Sequence, residues 1–222
     1  MIEYDKDAIV APYITRWLRE NTPQTDERLA RMERYAKDNG VPIAEPETAR
    51  FLSVLCRIAR PKRILEIGTA IGYSSVVMAK AAEDARILTI EYSADMADIA
   101  RKNIELLGCS DRVEVVEADA KDYLSYIDED ESMDLIFLDG PKAHYIYMLD
   151  DCIRLLKKGG VLVSDNVLYK GMTADDAHVA RRKITITERL RGYITALTNE
   201  KTLETSLLPL GDGVAVSVKT TE

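Results

Sequence analysis

The 222-residue chain contains only three cysteines, Cys56, Cys109 and Cys152. Because they are far apart and odd in number, they form neither a disulfide framework nor the closely spaced ligand pattern of a zinc site. So few cysteines without a pairing pattern are typical of proteins in a reducing compartment, and we expect a cytoplasmic location.

Long apolar runs are absent as well. The first ten residues, MIEYDKDAIV, lack the apolar core of a signal peptide. No stretch of the sequence approaches the ~20 apolar residues that a membrane span needs. The sequence therefore predicts a protein without a membrane partner.

Positive charge is in short supply. Lys and Arg total 30 against 38 Asp and Glu, which leaves a formal net charge of −8. A protein that coats nucleic acid needs a broad basic surface, so the composition excludes that class. The composition still allows a local basic cluster on an otherwise acidic surface.

The chain length and the patterning predict a single domain over 1–222, with an N-terminal helical cap at 1–60 and an α/β core at 61–222. Apolar residues at three-to-four spacing predict the helices of the cap, at 7–19, 25–39 and 47–59.

In the core, apolar strand patterns alternate with helical patterns. Strands are predicted at 63–68, 87–91, 113–119, 133–140 and 160–166, and helices at 73–82, 94–107, 120–127, 143–156 and 177–197. This alternation implies a mostly parallel sheet with helices on both faces. Residues 202–219 read as a hairpin that turns at Gly211–Asp212–Gly213, so the sheet is expected to finish with an antiparallel edge.

Ligands of such sheets bind outside the carboxyl ends of the strands, where this sequence places acidic residues. Gly68 and Gly72 follow the first strand and allow the backbone to approach a ligand closely. Glu91 ends the second strand and could accept hydrogen bonds from ribose hydroxyls, and Asp119 could bind an adenine amino group. The pattern favours a nucleoside site over a purely structural turn.

The glycine loop argues against a dinucleotide. An NAD-dependent dehydrogenase would need a glycine where Ala70 stands, so that the backbone could approach a pyrophosphate. The acidic Glu66 just before the loop also disfavours a diphosphate. S-adenosylmethionine, which carries a sulfonium, an amino group, a ribose and an adenine, fits these residues better.

A second group of polar residues follows the fourth and fifth strands. If these strands are neighbours, Asp139, Asp165 and Asn166 converge as two carboxylates and one amide. An all-oxygen set suits Mg²⁺ first, with Ca²⁺ or Mn²⁺ as alternatives. Each of these residues could also simply cap a turn, but their combination favours a metal site. Lys142, close to Asp139, is then a candidate general base.

Three motifs together resemble the cation-dependent class I O-methyltransferases of the catechol and caffeoyl-CoA type. They are E-x-G-x-x-x-G-Y-S from Glu66 to Ser74, F-L-D-G-P-K from Phe137 to Lys142, and S-D-N from Ser164 to Asn166. The resemblance covers almost the whole chain and implies a Rossmann-like fold and a homodimer. It implies Mg²⁺ at Asp139, Asp165 and Asn166, and catalysis by Lys142. The S-adenosylmethionine contacts it implies are Ala44, Glu66, Gly68, Thr69, Tyr73, Ser74, Glu91, Asp119, Ala120 and Asp139.

The D-G-P-K form and the ending L-L-P-L-G-D-G (207–213) resemble a bacterial subgroup that methylates 5-hydroxyuridine at the tRNA wobble position. A basic cluster at Arg181, Arg182, Lys183, Arg189 and Arg191 could grip RNA phosphates. We therefore take tRNA as the expected partner. The candidate acceptor contacts are Tyr169, Lys170, Arg181 and Arg182.

Three alternatives remain at this stage. The basic cluster could be a solvated helix face, and the enzyme could methylate small catechol-like molecules. In a more distant alternative, the protein binds a nucleoside without catalysis, but the complete set of Asp139, Lys142, Asp165 and Asn166 argues against it.

Overall fold

The fold is dominated by a mostly parallel sheet in which the order of the strands along the chain reverses at the centre. The computed structural model describes residues 9–220. Its strands are β1 (Arg63–Ile67), β2 (Arg86–Glu91), β3 (Val113–Glu117), β4 (Met133–Leu138), β5 (Leu156–Asp165), β6 (Leu203–Leu208) and β7 (Val214–Lys219). They form one sheet in the order β3-β2-β1-β4-β5-β7-β6. Strands β1 to β5 pair in parallel, and β7 runs antiparallel to both β5 and β6.

Helices cover both faces of this sheet. They are α1 (Pro12–Asn21), α2 (Glu27–Asn39), α3 (Pro46–Ala59), α4 (Tyr73–Ala81), α5 (Ala94–Leu106), α6 (Ala120–Ser125), α7 (Tyr145–Leu155) and α8 (Ile184–Asn199). Along β1, Ile64 packs into an apolar cluster with α2 to α5, whereas Leu65 packs into a second cluster with α6 to α8. The predicted fold class is therefore confirmed.

Local signals explain where several helices begin and end. The Asp26 side chain accepts a hydrogen bond from the Arg28 amide at the start of α2, and Gly40 ends that helix in a left-handed conformation. Pro46 occupies the first turn of α3, where no backbone donor is needed. Ser93 caps α5 in the same way as Asp26 caps α2.

The predicted helix at 177–197 is wrong in its first part. Short 3₁₀ turns occupy Asp176–His178 and Arg181–Lys183, and α8 begins only at Ile184. The Asp175 side chain accepts a hydrogen bond from the Ala177 amide, and Ala180 is extended, so a continuous helix cannot form here. The buried face begins at Thr187.

Other boundaries also moved. Strand β5 begins at Leu156, which pairs with Met133, so it takes over the last residue of the helix predicted at 143–156. Helix α1 begins at Pro12, and residues 7 and 8 of its predicted span lie outside the described residues. None of the helices between residues 9 and 220 has the length and apolar character of a bilayer span. All three cysteines are buried free thiols.

Candidate active site

A cavity of about 860 Å³ opens at the carboxyl ends of β1, β2 and β4. The succession of strands reverses between β1 and β4, and a crevice forms at such a point. Segment 41–45 of the cap lines one side of the cavity, and the buried Ala44 is part of that wall. The cavity is therefore where the sheet topology predicts a ligand.

A larger groove of about 1030 Å³ lies at the amino ends of β1 to β3. Several of its charges are already used in pairing. Arg63 is paired with Glu129, and Arg101 with Asp98. Arg112 donates hydrogen bonds to the carbonyls of Ala79 and Ala82.

The glycine loop brings β1 against the end of β4. Gly68 has φ +99°, and a Cβ at this position would lie 2.4 Å from the Asp139 carbonyl oxygen. Its amide donates to the Ile90 carbonyl at 2.9 Å. Only glycine combines this conformation with this contact, and the loop consequently stays close to the cavity floor.

The acidic residues predicted to bind the nucleoside are anchored to the backbone. Glu91 accepts hydrogen bonds from the amides of Ala70 at 2.8 Å and Ser93 at 2.9 Å. Asp119 accepts from the Lys121 amide at 3.0 Å at the start of α6. Both line the cavity, together with the predicted residues Gly68, Thr69, Tyr73, Ser74 and Ala120.

Glu66 lies beneath the cavity and is not part of its lining. Its side chain is fully buried and accepts hydrogen bonds from Ser75 and, at 2.6 Å, from Thr89. The second carboxyl oxygen has no partner among residues 9–220. Burial raises the pKa of the Glu66 carboxyl to about 7. This placement makes Glu66 a support of the loop.

The predicted metal ligands meet at the ends of β4 and β5. Leu138 pairs with Ser164, so the next residues, Asp139 and Asp165, leave adjacent strands at the same level. Asp165 is 1% exposed, and its carboxylate accepts a hydrogen bond from the Asn166 amide at 2.8 Å. Burial, reinforced by the charge of Asp139, raises the pKa of Asp165.

This donor set fits a hard divalent cation. A carboxylate as buried as that of Asp165 is costly to ionise without a positive partner. Asn166 holds a left-handed conformation with φ 57°, which is strained for a residue other than glycine. The candidate donors are the two carboxylates and the Asn166 amide; within residues 9–220, no group of three or more His, Cys, Asp and Glu side chains is arranged for a metal.

Lys142 stands at the same place. Its Nζ lies 2.6 Å from Asp139 Oδ1, and it lines the cavity. Asp139, Lys142 and Asn166 thus line the same cavity as the nucleoside wall, whereas the buried Asp165 is not part of the lining and is placed beside Asp139 by the strand register.

A family model described as O-methyltransferase matches residues 20–220. The chain belongs to this O-methyltransferase family. The catechol O-methyltransferase of Niastella koreensis is 32% identical over 156 residues, which cover 68% of this chain and 71% of the relative. The caffeoyl-CoA O-methyltransferase of Populus kitakamiensis is 27% identical over 85% of this chain and 83% of its own.

Solved structures agree with this assignment. The O-methyltransferase from Bacillus cereus, in complex with SAH, is 27% identical and has a TM-score of 0.83, covering 94% of this chain and 97% of that chain. The resemblance seen in the motifs is confirmed: this protein is an S-adenosylmethionine-dependent O-methyltransferase.

In this methyltransferase a strained loop borders the acidic pair. Tyr169 and Lys170 both have positive φ, at 46° and 56°. The Lys170 amide donates to the Asp212 side chain, and the Leu168 amide donates to the Asp212 carbonyl at 3.1 Å. Burial raises the pKa of Asp212. The sequence indicates only a turn at Asp212, and no local pattern indicates its contact with the Lys170 amide.

The basic cluster is divided by the fold. Arg181 and Arg182 are exposed on a 3₁₀ turn. The ammonium of Lys183 lies 5.7 Å from the centre of the Tyr169 ring, which joins that turn to the loop after Asn166. Arg191 instead pairs with Asp176 and donates to backbone carbonyls, so it is part of the structure of this region.

A second basic side chain, on α8, packs against an aromatic ring near the cavity. Arg189 lies 5.4 Å from the centre of the exposed Tyr147 ring, and the Tyr147 ring lies 6.4 Å from that of His144. His144 lines the cavity. Arg189 is thus connected to the cavity lining only through Tyr147 and His144, and Lys183 packs against Tyr169; neither basic side chain is part of the lining.

Proposed function

We propose that this methyltransferase acts on a hydroxyl that has an adjacent chelating oxygen, with a divalent cation held by Asp139, Asp165 and Asn166. The observation that carries the proposal is that Asp139, Asn166 and Lys142 line the cavity beside the nucleoside wall, with the buried Asp165 next to Asp139 in the strand register. Mg²⁺ is the expected ion, with Ca²⁺ or Mn²⁺ as alternatives. When bound, the ion would lower the pKa of the acceptor hydroxyl by Lewis acidity.

The chain's own residues orient the reactants. The glycine loop, Glu91 and Asp119 hold the methyl donor at the carboxyl ends of β1 to β3. Lys142 Nζ is positioned to accept the acceptor hydroxyl proton in its neutral amine form, after it has released its own proton to solvent and its contact with Asp139. Alignment of acceptor oxygen and methyl carbon can contribute ~7–11 kcal/mol in well-ordered cases.

We propose 5-hydroxyuridine at the tRNA wobble position as the acceptor, which would be converted to 5-methoxyuridine. Its 5-hydroxyl and 4-carbonyl supply the adjacent oxygens. Two pairs of a basic and an aromatic side chain, Lys183 with Tyr169 and Arg189 with Tyr147, support this proposal, because such pairs would contact the backbone and bases of a bound RNA. Basic and aromatic side chains are the groups that bind single-stranded RNA.

A second candidate is a small catechol-like acceptor, because a catechol also presents adjacent oxygens. The identity with a named catechol O-methyltransferase supports it. The two candidates differ in charge, because only RNA carries phosphates that would contact the basic side chains of Lys183 and Arg189.

The acceptor test compares hydroxylated tRNA, the same tRNA without the modification, and a panel of catechols with labelled methyl donor. We expect label in hydroxylated tRNA alone, 5-methoxyuridine in its digest, and steep loss of RNA affinity with added salt. The double variant Arg181→Glu/Arg182→Glu should weaken tRNA turnover. The control variant Lys102→Glu/Lys158→Glu makes the same change of charge at two exposed lysines elsewhere and should not weaken tRNA turnover. Turnover of catechols only, or a binding curve flat in salt, would overturn the RNA acceptor.

A further inference from the structure

Tyr145 lies directly under the acidic pair. It is the first residue of α7, and its side chain is 0% exposed. The hydroxyl donates to the Leu138 carbonyl at 3.0 Å and to the Asp165 carbonyl at 3.1 Å. One phenol thus contacts the carboxyl ends of both β4 and β5.

These two carbonyls belong to the peptides that carry the candidate ligands. The Leu138 carbonyl is bonded to the Asp139 nitrogen, and the Asp165 carbonyl to the Asn166 nitrogen. A hydroxyl shared between them restricts how far the two strand ends can separate. The spacing of the three oxygen donors is therefore coupled to a single buried group.

The ring of Tyr145 is fixed from two sides. The ammonium of Lys142 lies 5.6 Å from its centre, and the Tyr193 ring meets its edge at 5.4 Å. The Tyr193 hydroxyl is 2.6 Å from the Ser164 hydroxyl and contacts neither carbonyl. Tyr193 is equally buried, so it makes a matched comparison.

Packing alone does not explain the hydroxyl. A phenylalanine would fill the ring volume, whereas a buried hydroxyl is unfavourable unless it is hydrogen-bonded. We propose that Tyr145 is a positioning residue whose hydroxyl sets the spacing of Asp139 and Asp165–Asn166 for the cation. This inference rests on the proposed metal-dependent function.

The test measures metal binding separately from activity. Mn²⁺ affinity is determined by electron paramagnetic resonance for the full chain with SAH present, and SAH affinity by calorimetry without metal. Tyr145→Phe should weaken Mn²⁺ binding by about tenfold, as is typical when a partner of metal ligands is lost, and leave SAH affinity unchanged. Tyr193→Phe should keep the wild-type Mn²⁺ affinity. Equal Mn²⁺ affinities of the two variants would overturn the inference.

A second pair of variants removes the dependence on Tyr145→Phe folding well. Tyr145→4-aminophenylalanine keeps a donor, and Tyr145→4-fluorophenylalanine fills a similar volume without one. We expect the amino variant to bind Mn²⁺ clearly more tightly, and equal binding would overturn the inference alone. Wild-type protein that binds no Mn²⁺ would overturn the metal-dependent function and this inference together.

Discussion

The two halves of the crevice satisfy their carboxylates in different ways. In the cofactor half, at the ends of β1 to β3, Glu91 accepts two backbone amides and Asp119 accepts one. In the proposed metal half, at the ends of β4 and β5, the buried Asp165 carboxylate accepts a hydrogen bond from one amide, that of its neighbour Asn166. The carboxylates of the cofactor half are thus held by backbone amides, whereas in the other half Lys142 pairs with Asp139 and the buried Asp165 has a single amide partner.

Backbone strain follows the same division. Gly68 and Gly72 supply most left-handed positions of the cofactor half, where Ala70 adds one residue with a side chain. The metal half uses Asn166, Tyr169 and Lys170. Such residues cost of order 1–3 kcal/mol each and persist where the surroundings determine them. We infer that a bound cation would offset this conformational free energy. The metal half should therefore be the more sensitive of the two to substitution.

Asp165→Asn tests that difference most severely. It preserves the side-chain volume but removes a charged ligand, so turnover should fall by roughly 10³-fold or more, in line with the loss of several kcal/mol of charge stabilisation. SAH binding, measured by calorimetry, should remain within about threefold, since the cofactor half is built independently. The exposed Asp150→Asn on α7 serves as a control. A parallel loss of SAH affinity would show that the halves are not independent.

Lys142→Ala probes the chemistry of the metal half without removing a ligand. Loss of a positioned base should reduce kcat by about 10²–10⁴-fold. Donor binding should be unchanged, and the exposed Lys158→Ala provides the control. Full turnover by the Lys142 variant would remove this lysine from the mechanism.

Much of this division was predictable from the sequence. Strands β1 to β5 carry apolar runs followed by polar residues, and parallel pairing brings their ends to one rim. Asp139, Asp165 and Asn166 could therefore be placed together before any contact was known. The approach of Gly68 to Asp139 follows from the same topology.

Contacts between distant residues were not predictable. Asp212 meets the Lys170 amide across 42 positions, and a turn motif contains no signal of that partner. Tyr145 looks like any apolar position of an amphipathic helix, because its hydroxyl partners come from two other strands. An acid before a glycine loop does not reveal whether it faces the ligand, and Glu66 lies beneath the cavity floor. Helix α8 begins at Ile184, just before its first buried residues, Thr187 and Leu190. The charged residues at 177–183 do not indicate this start.

Gly68→Ala tests the junction between the halves. A left-handed alanine costs about 1–2 kcal/mol, and the contact with the Asp139 carbonyl should add ~1–3 kcal/mol of overpacking. Gly159→Ala is the matched control, because Gly159 has φ +76° with nothing within 4 Å of an added Cβ. The free energies of unfolding in urea should differ by the overpacking energy. Equal losses would mean that the two halves are not tightly joined at Gly68.

Glu66 is the place where the cofactor half resembles the metal half, since it too is a buried carboxyl; one of its oxygens has no partner among residues 9–220. Burial raises its pKa from 4.5 to about 7 in the folded state. The folded protein therefore holds this proton longer than the unfolded chain, so the stability it contributes is complete below pH 4.5 and is lost as the pH rises through 7. Glu66→Gln should remove up to about 3 kcal/mol of that decline, measured by urea unfolding in chelator between pH 5 and pH 8. The exposed Glu114→Gln on β3 should keep the wild-type profile. If Glu66→Gln also kept the wild-type pH profile, Glu66 would not be a buried acid with a raised pKa. The buried charge of the crevice would then belong to the metal half alone.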